Sequence, residues 1–145
     1  MAQLAARACI VRACAYPPGP MEPLPSWMRR ALFATAAMNI LAAAGFLPGA
    51  ASVRAMAGLP EGGHPLYLLT VAMFVFLFGL AYLATAAMGR ADRLLIAVAA
   101  LGKISFFALL LVLWVAGSLP FRAPFLGSAD LIFGGLFTVW LLQTA

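Results

Sequence analysis

Apolar residues along the chain fall into four long blocks, separated by short clusters of Pro, Gly and charge. The first runs from about Arg30 to Leu47 and stops at Pro48-Gly49, because proline removes a backbone donor and glycine relaxes the backbone. The second, from about Leu66 to Met88, is apolar all round through Met73-Phe74-Val75-Phe76-Leu77-Phe78, as a helix in contact with lipid should be. Gly89 to Arg93 make a tight charged turn. A third block runs from about Leu94 to Leu119, where Pro120 closes it, and a fourth from about Phe125 to Leu142. Each is close to the ~20 residues that carry a helix across ~30 Å of hydrocarbon. A barrel strand would instead need ~10 residues of alternating character, which these blocks lack. The pattern predicts an all-α integral membrane protein, an antiparallel four-helix bundle over residues 29–145, with short joins that make sequence neighbours antiparallel. Between the first two blocks, Gly49 to Pro65 read as a loop in which Ser52 to Gly58 form a short interfacial helix.

Residues 1–28 read as an N-terminal tail. A signal peptide there conflicts with Arg12, which interrupts an apolar core that should run unbroken for ~7–15 residues. Two readings stay open: a disordered tail, and translation that begins at Met21. Cys9 and Cys14 form no CxxC and have no matching Cys or His pair, so neither a zinc site nor thiol–disulfide chemistry is expected of them.

Composition agrees with the block pattern. Hydrophobic residues make up 66% of the 145 and charged residues 9%, where soluble domains average ~45–50% and ~25%. The net charge is +5. A basic chain raises the question of nucleic acid, but the cations sit at the ends of apolar blocks with no cluster interleaved with aromatics, so no nucleic acid is expected. Arg29, Arg30, Arg90 and Arg93 crowd one side, against Arg54 and Arg122 on the other. That asymmetry predicts both termini in the cytoplasm.

A polar group inside a span is expensive and needs a partner. Asn39, Lys103 and Asp130 stand out. At ~1.5 Å per residue, Asn39 and Lys103 lie ~13 Å in from the arginine-rich side, and Asp130 ~20 Å in, about one helical turn away. Lys103 and Asp130 are therefore expected to pair, with Asn39 as a hydrogen-bond partner, as a ligand-binding or structural polar core. Gly134 and Thr138 extend the Asp130 face, while Gly102 and Ser105 flank Lys103. Small residues such as Gly79 let helices approach in lipid. Tyr82, Trp114 and Trp140 read as interface anchors, with Tyr82 also a candidate to line a cavity. His64, the one histidine, has Glu61 nearby but no second metal-ligand type at useful spacing, so no metal is expected. There is no G-x-S-x-G, H-E-x-x-H or phosphate-binding loop, and no catalytic residue is assigned. No cofactor is expected, and haem lacks an axial histidine inside any block.

Asn39, the run Gly79 to Tyr82, Gly102-Lys103, Gly117 to Pro120 and Asp130-Leu131 recur together in small bacterial four-span proteins. Over about Arg29 to Leu142 the chain resembles those uncharacterised proteins and, more loosely, the DoxX-like superfamily. The resemblance implies a four-helix membrane fold. It implies no established activity, since the DoxX-like name covers proteins proposed as redox-complex subunits and others of unknown role.

The expectation is a non-enzymatic, multi-pass protein of the bacterial inner membrane. Its buried polar group would bind a small ligand or support a larger membrane complex. The alternatives are a small transporter or channel, and an accessory subunit of a quinone-linked oxidoreductase. Its partners would be the lipid bilayer and either a membrane-complex partner or a second copy in a homodimer.

Overall fold

The computed structural model describes residues 21–61 and 63–144. Most of the expected tail, including Cys9 and Cys14, lies outside the described residues. Met21 to Met28, also assigned to that tail, are part of the fold: Trp27 packs against the core and Met28 is fully buried in it.

The described residues form five helices and one short strand pair. The helices are α1 (Ser26–Gly45), α2 (Ala51–Met56), α3 (Pro65–Met88), α4 (Arg93–Val115) and α5 (Arg122–Gln143). Strand β1 (Glu22–Pro23) pairs antiparallel with β2 (Arg90–Ala91), a feature the all-α expectation omits. Leu24 N–H donates to Gly89 O at 3.0 Å, and Arg90 Nη2 to Met21 O at 3.2 Å. The chain ahead of α1 is thereby strapped to the α3–α4 turn.

α1 begins at Ser26, ahead of the expected Arg30, because its arginines lie within the first turns rather than before them. Arg29 stays inside the helix by donating from Nε to Ala86 O on α3 at 2.7 Å. α4 ends at Val115, not Leu119. Gly117, at φ +75°, stops it: Ser118 N–H donates to Leu113 O and Gly117 N–H to Trp114 O, both at 2.9 Å, which closes the helix in a Schellman motif. Asp92 caps its other end, accepting from Leu94 N–H at 2.7 Å and Leu95 N–H at 3.2 Å.

α3, α4 and α5 are each long and apolar enough to cross a membrane. α1, which carries Arg29, Arg30 and Asn39, is not among them by composition. The long helices pack as two antiparallel hairpins, α1 on α3 and α4 on α5. Glycines set the approach. A Cβ at Gly79 would lie 3.0 Å from Ile40 Cγ1 on α1, and one at Gly134 would lie 2.7 Å from Ile104 Cγ1 on α4. The hairpins meet mainly through α1 and α5, whereas α3 and α4, although joined by Gly89 to Asp92, stay apart over most of their length. A short join makes two helices antiparallel but leaves them free to splay.

The end holding the strand pair and the C-terminus is densely filled. Met28, Leu32, Ala36, Tyr82, Ala86, Ile96, Phe137 and Trp140 form one core there. Trp140, expected as an interface anchor, is 1% exposed within that core. At the opposite end, Gly58 and Leu59, just after α2, pack on the α4–α5 connection. A Cβ at Gly58, whose φ is +74°, would lie 2.6 Å from Pro120 Cγ. Arg54, 6% exposed, donates from Nη1 to Gly45 O at 3.1 Å and Leu47 O at 2.7 Å, and so caps α1.

Candidate functional site

Lys103 is at the centre of the space between the hairpins. Its Nζ donates to Asp130 Oδ1 at 2.6 Å and to Asn39 Oδ1 at 3.3 Å, which joins α4 to both α5 and α1. The lysine is 5% exposed. Its ammonium also stands 5.9 Å from the centre of the Tyr82 ring and 5.8 Å from that of Phe133, close enough for the ring faces to attract it. A cation removed from water is costly unless surrounded in this way.

The helices bring these groups together for local reasons. At Gly134 and Gly127 α5 comes close to α4, with no room for a side chain, and Asp130 lies between them, so its carboxylate reaches Lys103 directly. On the other hairpin, Gly79 brings α3 against Asn39 Cβ, 3.3 Å from where a glycine Cβ would be, and fixes the amide's position on α1.

Asn39, Lys103, Asp130 and Tyr82 all border one cavity of about 640 Å³, within the ~300–1,000 Å³ of small-molecule sites. Its walls are otherwise apolar. α3 contributes Val75 and Phe78, α4 Gly102 and Phe106, and α5 Leu126 and Gly127. Tyr82 and Ala99 lie at the end next to the dense core, while Ala57, Leu59 and Ala123 cover the far end beneath α2.

Two expected members of the polar group are not in it. Ser105 is exposed on the outer side of α4, because two residues along a helix turn a side chain ~200° away from Lys103. Thr138 Oγ1 donates to Gly134 O at 2.9 Å, within its own helix, and does not border the cavity. His64 stands outside the cavity at the start of α3, where its Nδ1 accepts from Leu66 N–H at 3.2 Å.

The arrangement also includes residues that sequence reasoning missed. Phe133 beneath the lysine and Phe78 in the wall look like lipid-facing aromatics in sequence. The aromatic three residues after Asp130 was the available signal, since i and i+3 share a helix face. Gly127 carried a weaker one, a small residue one turn before the aspartate. No family model, no curated protein and no solved structure matches the chain, so the reading of the site rests on its own geometry.

Proposed function

We propose that the chain is a non-enzymatic, four-span protein of the bacterial inner membrane that binds a small molecule between its hairpins, anchored by Asn39, Lys103 and Asp130. One observation carries the reading: the buried ion pair borders an apolar cavity of about 640 Å³ rather than a packed helix interface. An ion pair that served only to join α4 to α5 would need no open volume beside it.

The fourth span in this reading is α1. It packs antiparallel along α3, its arginines are confined to one end, and its asparagine is bonded to Lys103. Arg29, Arg30, Arg90 and Arg93 share that end of the molecule, and Arg54 and Arg122 the other. The bias supports a cytoplasmic location for both termini. The dense core at the arginine-rich end, with Phe137 and Trp140 almost wholly buried, argues for a one-sided binding cavity over a pore. Among the described residues lining the cavity there is no Ser, Thr, Cys or His, and its lysine is held as an ion pair, which favours binding over catalysis.

The test uses Gly102, where a Cβ would meet nothing within 4 Å because the cavity lies beside it. Gly102→Phe should fill that space and leave the helices in place. Wild-type full chain purified in mild detergent should carry a small molecule, seen by mass spectrometry of the organic extract, that Gly102→Phe lacks. Identical extracts, together with an unchanged host phenotype, would reject binding.

A further inference from the structure

The cavity's charges and its openings restrict what it can hold. We infer that its ligand is an uncharged amphiphile already dissolved in the bilayer, which passes between α3 and α4 and places a hydrogen-bonding head, a carbonyl with an N–H or O–H beside it, against Asn39 and Asp130. This deepens the binding proposal above and rests on it.

The head is uncharged because the site is already neutral. Lys103 and Asp130 cancel at 2.6 Å, with two aromatic rings over the cation. An added anion would face the Asp130 carboxylate, and an added cation the Lys103 ammonium. Either would leave one unpaired charge in a surrounding of low dielectric, where an uncompensated charge is strongly unfavourable.

Hydrogen-bonding capacity is left over on both signs of dipole. Asp130 uses Oδ1 toward Lys103, and its side chain is 18% exposed, which leaves Oδ2 as an acceptor. Asn39 uses Oδ1, which leaves its NH₂ as a donor. A head that both accepts and donates satisfies the two together.

The route follows from which walls are shut. The dense core closes the cavity at Tyr82 and Ala99, and the α2 segment covers it at Leu59 and Ala123. Between α3 and α4 the helices stand apart, and Phe78 and Phe106, one from each helix, are 37% and 41% exposed while bordering the same space. The side opening faces acyl chains, so a ligand reaches it by partition into lipid and not from water.

The experiment places the full chain in phosphatidylcholine nanodiscs and measures binding of four radiolabelled probes. Dodecanamide, dodecanesulfonate and dodecyltrimethylammonium share a chain and differ in head charge; butanamide keeps the head and loses the chain. Binding is counted as the excess over Gly102→Phe in the same nanodiscs. Dodecanamide should bind at least about ten-fold tighter than either charged probe, and about 100-fold tighter than butanamide. Asn39→Ala should reduce the preference for the amide about ten-fold while the chain still binds. Equal binding of all three long-chain probes, or tighter binding of the sulfonate or the ammonium, overturns the uncharged head and leaves the cavity reading intact. Butanamide binding as tightly as dodecanamide overturns the bilayer route. If no probe binds in excess of Gly102→Phe, the cavity reading fails with it.

Discussion

Lys103 and Asp130 meet at 2.6 Å, with Asp130 placed between two close approaches of α5 to α4, at Gly127 and Gly134. The backbone contact therefore positions the charges, and the charges do not have to draw the helices together. The pair's net contribution to stability is small by this logic, because desolvation of both groups offsets their attraction. Removing one partner is different, since it strands the other.

Lys103→Met and Asp130→Leu should each destabilise the protein by about 3 kcal/mol, the lower end of the range for a broken buried pair, because the site borders an open cavity. The double substitution should recover to within about 1 kcal/mol of wild type, since two apolar chains of similar size replace the pair. Unfolding midpoints in mixed micelles give the double-mutant cycle. Additive losses in the double variant would show that the two groups act independently.

Gly134 and Gly135 adjoin in sequence and differ completely in surroundings. A Cβ at Gly134 would press Ile104 Cγ1 at 2.7 Å and come to 3.4 Å from Ala100 O, whereas one at Gly135 would meet nothing within 4 Å. Gly134→Leu should therefore force α4 from α5 and lower stability by about 2–3 kcal/mol. Gly135→Ala should be neutral or stabilise by up to about 1 kcal/mol, through helix propensity alone. The same denaturation assay separates them, and equal losses would mean that α4 and α5 do not pack at Gly134.

Which of these features a reader could extract from sequence depends on the physics behind each. Helix positions came from apolar runs interrupted by Pro, Gly and charge, and α3 starts within a residue of the expected Leu66. Depth arithmetic placed Asn39, Lys103 and Asp130 near a common level, and the structure joins them by hydrogen bonds. Ser105 was assigned to the same group by sequence adjacency, which on a helix is a poor guide to facing. The cavity itself was not legible. It exists because α3 and α4 splay, and hydropathy is the same for a side chain bordering a cavity as for one touching lipid. The burial of Arg54 against two carbonyls was not legible either, since nothing in the sequence around it marks the end of α1 as its partner.

The orientation of the molecule can be checked with single cysteines. Both Cys9 and Cys14 are first replaced by Ser. Gln143→Cys and Gly63→Cys then mark opposite ends of the long helices at exposed positions. A membrane-impermeant maleimide should label Gly63→Cys in intact cells and Gln143→Cys only after the membrane is opened, given the arginine bias. The reversed pattern would place the termini outside. Labelling of both in intact cells would remove the odd–even relation on which a four-span topology depends.

Among the described residues Arg54 is, besides Lys103, the other buried cation, and its partners are neutral. Nη1 reaches Gly45 O, a carbonyl of the last turn of α1, and Leu47 O just beyond the helix, which also accepts from Ala50 N–H at 2.9 Å. The helix dipole at that end also favours a positive charge. Phe46, between the two carbonyls, borders the cavity, so the arginine holds one of its walls. Arg54→Ala should cost about 1–3 kcal/mol, as for hydrogen bonds to a charged group. Hydrogen exchange should quicken at Phe46 and Leu47, whose amides donate to Ala43 O at 3.1 Å and Ala44 O at 3.2 Å in the wild type. Arg54→Lys should recover only part of the protection, because an ammonium is more strongly hydrated than a guanidinium and is carried on a flexible stem. Exchange in that turn unchanged by either substitution would show that α1 ends where it does without the arginine.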